Sequence, residues 1–300
     1  MRKGHMDYDA FCRVAEMLYH YDSDGVVTLT GGEPTMHPDF KEIVLRASQR
    51  FDRVCVTTNG SFGDDIARYL VPLMDKNVYL QISIDGTQEV HDAIRGNFAF
   101  ECAVHNIKQM YDVSSHIAIS TTVRKGLLHQ IKELAIYFNN LSFHHWKVSQ
   151  EQLQYPSKTN IILSDEWNAF VDELLPLCHF RVMVKKMFAF DIWNRYLKQR
   201  FHEDLLNCNC GLGRNKVYIT PEMDVMPCTC MDDNYGNLLR DTWEDIAIKL
   251  KSLGYVVPAK QSVCYTCMYK IICNGGCPGY SKKVFGVLNM GDIRCPYIKG

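Results

Sequence analysis

Apolar β-branched runs alternate with amphipathic stretches through the first half of the chain. Val26-Val27-Thr28-Leu29, Val54-Cys55-Val56-Thr57 and Tyr79-Leu80-Gln81-Ile82-Ser83 read as buried strands. Ile117–Val123 continues the series, and a weaker run sits around Trp146-Lys147-Val148. Between them, apolar residues recur at helical spacing over 7–20, 38–49, 64–75, 98–111 and 129–139. Strands separated by helices of this length predict βαβ units and a parallel sheet. Ligands of such sheets lie on the loops beyond the C-terminal strand ends. A mostly helical stretch over 164–202 carries no readable motif and is expected to bridge two parts of the chain. Around 218–225 a strand–turn–strand pattern fits, with Pro221 and Asp224 at the turn. From Cys264 onward little room is left for regular structure beyond short helical turns, so bound metal is expected to supply much of the folding energy there.

Composition narrows the classes. An apolar fraction of 47% and a charged fraction of 22% are those of a globular protein. A formal charge of −1 leaves no electrostatic footprint for nucleic acid or for an anionic membrane surface. The longest apolar runs, such as Val182-Met183-Val184, are far too short to span a bilayer. No charged segment followed by an apolar stretch opens the chain, so a cytoplasmic protein with reduced thiols is expected.

Those thiols carry the strongest chemical signal. Cys264-x2-Cys267-x5-Cys273-x3-Cys277 is followed by Cys295, and two CxC pairs, Cys208/Cys210 and Cys228/Cys230, stand upstream. Thiolate is the soft ligand of zinc and of iron–sulfur clusters. Taken alone, Cys264-Tyr265-Thr266-Cys267 fits a zinc knuckle equally well. Cys12 stands alone in an amphipathic helix and Cys55 lies inside a strand, while Cys102 and Cys178 sit in helical patterns and read as core residues. In the first half, three successive strands end in glycine-bearing polar turns: Thr30-Gly31-Gly32-Glu33-Pro34, Thr58-Asn59-Gly60 and Ser83-Ile84-Asp85-Gly86. Glycines let backbone approach a ligand closely. Glu33 can receive a cation, and Pro34 stiffens its turn. Together the turns describe the rim of a site for a polar, cationic, hydroxyl-bearing small molecule.

These turns, with His91-Asp92-Ala93-Ile94-Arg95-Gly96, resemble in order and spacing the core of radical S-adenosylmethionine enzymes. The C-terminal thiols are similar to the SPASM extension of that superfamily, and the spacings and the core together favour iron–sulfur over zinc. The resemblance implies an α/β fold: a partial (β/α)6 TIM-type barrel followed by a small cysteine-rich cluster module. Residues 1–155 would form the core (strands two to six), 156–205 a helical bridge and 206–300 the SPASM domain. Gly31, Gly32, Glu33 and Pro34 would hold the amino group of S-adenosylmethionine, with Asn59 on the same rim. Ser83 and Asp85 would contact its ribose. Cys264, Cys267, Cys273 and Cys295 would ligate one auxiliary 4Fe–4S cluster. Cys210, Cys228 and Cys277 would ligate another, with Cys208 or Cys230 as a further candidate. A glycine is usual where Met223 stands, which leaves the turn of the 218–225 hairpin open.

Members of this superfamily cleave S-adenosylmethionine reductively to a 5′-deoxyadenosyl radical that abstracts a substrate hydrogen. Relatives with the SPASM module mostly modify peptides or proteins, so the resemblance implies a peptide substrate and a one-electron reductant such as a flavodoxin or ferredoxin. The catalytic cluster of the superfamily is held by Cys-x3-Cys-x2-Cys, a spacing absent from these 300 residues. The expectation is therefore a chain lacking the first barrel strand and inactive by itself, with Met1 an internal start. The alternatives are a non-catalytic iron–sulfur protein or a zinc-stabilised binding domain. His144-His145 and Arg95 read as surface or interface residues, Arg95 as a carboxylate partner. Trp146 and Met187-Phe188-Ala189-Phe190 read as core; Asp191 carries no motif.

Overall fold

A computed structural model of the chain describes residues 4–22, 24–198, 212–213, 216–254 and 256–298. Chain contacts divide it into two compact units, Met1–Glu151 with Phe170–Lys185, and Gln152–Ala169 with Lys186–Gly300. The first unit opens with α1 (Tyr8–Tyr21), started by Asp7, whose carboxylate accepts from the Ala10 amide at 2.7 Å. Strands and helices then alternate: β1 (Val26–Leu29), α2 (Phe40–Arg50), β2 (Arg53–Thr58), α3 (Asp64–Met74), β3 (Val78–Ser83), α4 (Gln88–Arg95), α5 (Ala99–Gln109), β4 (Ile117–Val123), α6 (Leu128–Phe138) and β5 (His145–Gln150). A helix α7 (Ser164–Leu174) precedes β6 (Val182–Met183). All six strands form one parallel sheet in the order β1-β2-β3-β4-β5-β6.

Register follows the apolar pattern. Val54 pairs with Val78, Ile82 with Ile119 and Ile119 with Trp146. β4 alternates buried Ile117, Ile119 and Val123 with half-buried Ala118, Ser120 and Thr122. Each fully buried Val, Leu or Ile contributes about 1.5–3 kcal/mol, so a one-residue slip would be costly. β1 departs from its reading as a buried strand. It lies at the sheet edge, and Val26 is 56% exposed. Within 156–205, expected as a helical bridge, the structure has α7 but also the short strand β6 beside β5. Two residues are too few to leave a period-2 signal in the sequence. Cys102, expected in the core, is exposed.

The second unit is held by short elements: α8 (Phe190–Lys198), the antiparallel pair β7 (Tyr218–Ile219) and β8 (Val225–Met226), α9 (Trp243–Lys251), α10 (Val263–Thr266), α11 (Lys270–Cys273) and α12 (Pro278–Phe285). Leu212, Val225, Met231, Ile246, Leu250 and Leu253 form its apolar cluster under the hairpin. Among the described residues no helix is long and apolar enough to cross a membrane.

Candidate cofactor and cluster sites

In the first unit two of the three glycine-bearing strand ends are tied together by a carboxylate. Glu33 precedes the short 3-10 turn Pro34–Met36, and its Oε1 accepts from the Thr35 amide at 3.2 Å and the Thr35 hydroxyl at 2.7 Å. The same oxygen accepts from Thr58 Oγ1 at 2.6 Å, and Oε2 accepts from the Asn59 amide at 2.7 Å. Glu33 therefore brackets the end of β1 to the end of β2. Asn59 turns its own side chain to its loop, where Oδ1 accepts from the Ser61 amide at 2.8 Å. Beside this bracket the backbone is open: a β-carbon added at Gly31 or Gly32 would meet nothing within 4 Å. That opening can admit a ligand against the peptide groups.

The third strand end is anchored differently. Asp85, 6% exposed, binds Arg95 through Oδ2, at 2.8 Å from Nε and 2.7 Å from Nη2. Its Oδ1 accepts from the Thr122 amide at 3.0 Å, so both oxygens of this expected ribose contact already hold α4 and β4. Arg95 is thus a carboxylate partner, as expected, but of a buried site residue. Ser83 lies on the half-buried face of β3, in register with Ser120. His91 opens the motif His91–Gly96, but the sequence assigned it no role. It is fully buried, its Nδ1 accepts from the Asp85 amide at 3.0 Å, and its Nε2 has no hydrogen-bond partner. Burial pulls its pKa below the ordinary histidine value, so it is neutral near pH 7.

In the second unit Cys264, Cys267, Cys273 and Cys295 line one cavity of about 400 Å³. Phe188, Phe190, Tyr269 and Tyr297 wall it, with Phe190 stacked on Tyr269 at 4.6 Å between ring centroids. The aromatic run expected as core does pack against a buried cluster of Cys264, Cys295 and Ile298, and its Phe188 and Phe190 also wall the thiol site. The local cause of that wall is Phe188, which takes a left-handed backbone (φ 46°), and this turn brings Phe188 and Phe190 to the same cavity. Burial pushes the Cys273 thiol up to about 12 and Cys295 up to about 11, and raises Cys264 as well. A bare thiolate is costly here, whereas a bound metal centre compensates the charge and displaces the protons.

Cys228, Cys230 and Cys277 form a second group. Cys230 hydrogen-bonds to both of the others, which drops Cys228 to about 6 and Cys277 to about 7 while raising Cys230. Cys208 and Cys210 lie outside the described residues. Met223 settles the hairpin turn: it adopts φ 67°, the conformation a glycine would take, and its side chain is buried. A buried ion pair, also unforeseen, stands beside the thiols. Arg294 forks onto Asp292 at 2.9 Å (Nε to Oδ1) and 2.6 Å (Nη2 to Oδ2) and lies 4.1 Å from the Tyr280 ring centre. Asp292 Oδ2 in turn accepts from the Cys277 amide at 3.1 Å. Two charged residues just ahead of Cys295 were the available signal.

Among the described residues no three His, Cys, Asp or Glu side chains converge on a single ion. Zinc would need four sulfurs at about 2.3 Å from one centre. Four cysteines spread around a cavity instead fit the larger body of a 4Fe–4S cluster, which holds one thiolate at each iron.

The chain is similar to known proteins in sequence and in fold. Residues 2–135 match the Radical SAM superfamily. The chain is 25% identical over 255 residues to the antilisterial bacteriocin subtilosin biosynthesis protein AlbA of Bacillus subtilis (strain 168), covering 81% of this chain and 53% of that protein. It is 28% identical over 261 residues to the mycofactocin maturase MftC of Mycobacterium tuberculosis (strain CDC 1551 / Oshkosh), covering 84% of this chain and 65% of that one. The chain thus spans less than two thirds of the length of either relative. Streptococcus suis SuiB bound to S-adenosylmethionine superposes with a TM-score of 0.74 at 18% identity, over 98% of this chain and 71% of that chain. SuiB bound to its precursor peptide SuiA gives 0.73 at 17% identity, over 98% and 69%. At such identity the likeness establishes the fold, a partial barrel of the radical S-adenosylmethionine type.

Proposed function

We propose, for a chain whose core belongs to the radical S-adenosylmethionine superfamily, that it forms the cofactor-binding rim and the auxiliary-cluster module of a peptide-modifying enzyme. The observation that carries this reading is the cavity shared by Cys264, Cys267, Cys273 and Cys295, a soft four-thiolate site in a chain with a glycine rim on its parallel sheet. When bound, S-adenosylmethionine and a reduced 4Fe–4S cluster supply hydrogen-atom abstraction. The residues of this chain bind and orient. Gly31 and Gly32 present open backbone to the methionine end, and Glu33 keeps that backbone aligned with Asn59. Ser83 offers a hydroxyl to the ribose, and Asp85 holds the strand end through Arg95. The two thiol groups would carry auxiliary 4Fe–4S clusters that pass electrons from or to the substrate site, fed by a flavodoxin or ferredoxin.

A peptide substrate is supported by the relatives: AlbA acts in bacteriocin subtilosin biosynthesis, and SuiB is seen with a precursor peptide. Cys-x3-Cys-x2-Cys is absent from these 300 residues, which favours the second reading, an iron–sulfur protein that binds but does not cleave the cofactor. Anaerobic reconstitution of the chain, iron and sulfide analysis and calorimetric titration with S-adenosylmethionine test both. Roughly eight irons per chain and measurable binding are expected. Zinc without iron would overturn the assignment. Cleavage of S-adenosylmethionine by the reduced chain alone would overturn the binding-only reading.

A further inference from the structure

The sequence leaves one cluster position open between Cys208 and Cys230. We infer that Cys230 is a ligand of the first auxiliary cluster, sharing it with Cys228 and Cys277. The inference rests on the reading of the second unit as a cluster module and deepens it.

Three features of the fold bring Cys230 beside both Cys228 and Cys277. β8 ends just before Cys228, and the chain turns back at once, the Met231 amide donating to the Cys228 carbonyl at 3.2 Å. Inside that turn the Cys230 amide donates to Cys228 Sγ at 3.3 Å, so the second thiol of the CxC pair folds over the first. From the opposite side Cys277 enters at the start of α12, and the Cys230 thiol hydrogen-bonds to it as well as to Cys228. Cys230 is 3% exposed, so its sulfur faces the protein interior.

The approach of α12 depends on a glycine. A β-carbon at Gly279 would fall 2.8 Å from Cys230 Cβ and 3.6 Å from Cys277 Sγ. Real β-carbons do not come that close, so any larger residue would push Cys230 away from Cys277. The clearance lets Cys230 sit against Cys277, where its thiolate can join Cys277 as a soft ligand. Closing that position with a protein thiolate denies it to substrate, which suits electron transfer rather than substrate ligation.

The test uses the full chain, reconstituted anaerobically with iron and sulfide, as wild type, Cys230→Ala and Cys208→Ala. Metal and sulfide content are measured, with EPR of the reduced and mildly oxidised samples and circular dichroism as the check of folding. Wild type should hold roughly eight irons. Cys230→Ala should lose iron from one cluster only, show the three-iron signal on mild oxidation and respond to added 2-mercaptoethanol, which fills the vacated position. Cys208→Ala should keep its iron, and a loss there overturns the inference even where Cys230→Ala does not fold. Loss of a cluster in Cys208→Ala, or wild-type iron and spectra in Cys230→Ala, overturns the inference while leaving the cluster module intact. A wild-type chain that takes up no iron overturns the module and the inference together.

Discussion

Replacing Glu33 by glutamine keeps the shape of the side chain but removes its charge and turns one oxygen into a donor. Three of the four donors that Glu33 accepts belong to Thr35 and Thr58, and two of these are hydroxyls that can rotate to suit an amide. The fourth, the Asn59 amide at 2.7 Å from Oε2, cannot turn away. If the glutamine oxygen stays with the threonines, its NH₂ faces the Asn59 N–H, donor against donor. Hydrogen bonds to a charged group contribute about 1.5–3 kcal/mol each. Water can reach this half-buried loop, so a loss of about 2 kcal/mol in local stability is expected, a roughly 30-fold rise in loop opening. Native-state hydrogen exchange at Asn59 should quicken by about that factor, and S-adenosylmethionine affinity measured by calorimetry should fall with it. Unchanged exchange at Asn59 with weakened binding would refute the bracket. It would mean that the carboxylate reads the ligand directly.

Three further outcomes follow from the packing. Gly291→Ala should empty the Cys264 site selectively, because its β-carbon would lie 2.7 Å from Cys264 Sγ at a φ of 102°. About half the bound iron should be lost at a stability cost on the order of 1–3 kcal/mol, and full iron content would contradict the geometry. Met223→Gly relieves about 1 kcal/mol of left-handed strain but removes a buried side chain whose truncation costs about 2–5 kcal/mol. Denaturation should therefore show a net loss, and a stabilised variant would mean that the methionine packs against nothing of value. His91 has a folded pKa held below its unfolded value of 6.5, chiefly by burial. Stability is whole above pH 6.5 and declines as pH falls below it, since only the unfolded chain gains the proton. The difference in unfolding free energy between wild type and His91→Asn should carry that slope, and a flat difference would refute it.

The glycine rim was legible because each part is local: a strand pattern, its end, and a turn residue that only glycine or a short polar side chain can fill. The fate of its carboxylates was not. Glu33 and Asp85 read as ligand contacts, yet each reaches another strand end or helix, Glu33 across to Asn59 and Asp85 to Arg95 and Thr122. Sequence spacing does not reveal which of several donors a carboxylate will meet. Phe188 and Phe190 were equally opaque, since an aromatic run looks the same whether it fills a core or walls a metal site.

Order and spacing of residues thus determined the parallel α/β sheet and the thiol inventory, because hydrophobic period and ligand spacing are properties of neighbours along the chain. Tertiary structure alone decided that Glu33 brackets two loops, that His91 is buried and neutral, that aromatic rings enclose Cys264, Cys267, Cys273 and Cys295, and that Cys230 meets Cys277. Each of those is a contact between segments far apart in sequence, selected by packing and by the geometry of donors and acceptors.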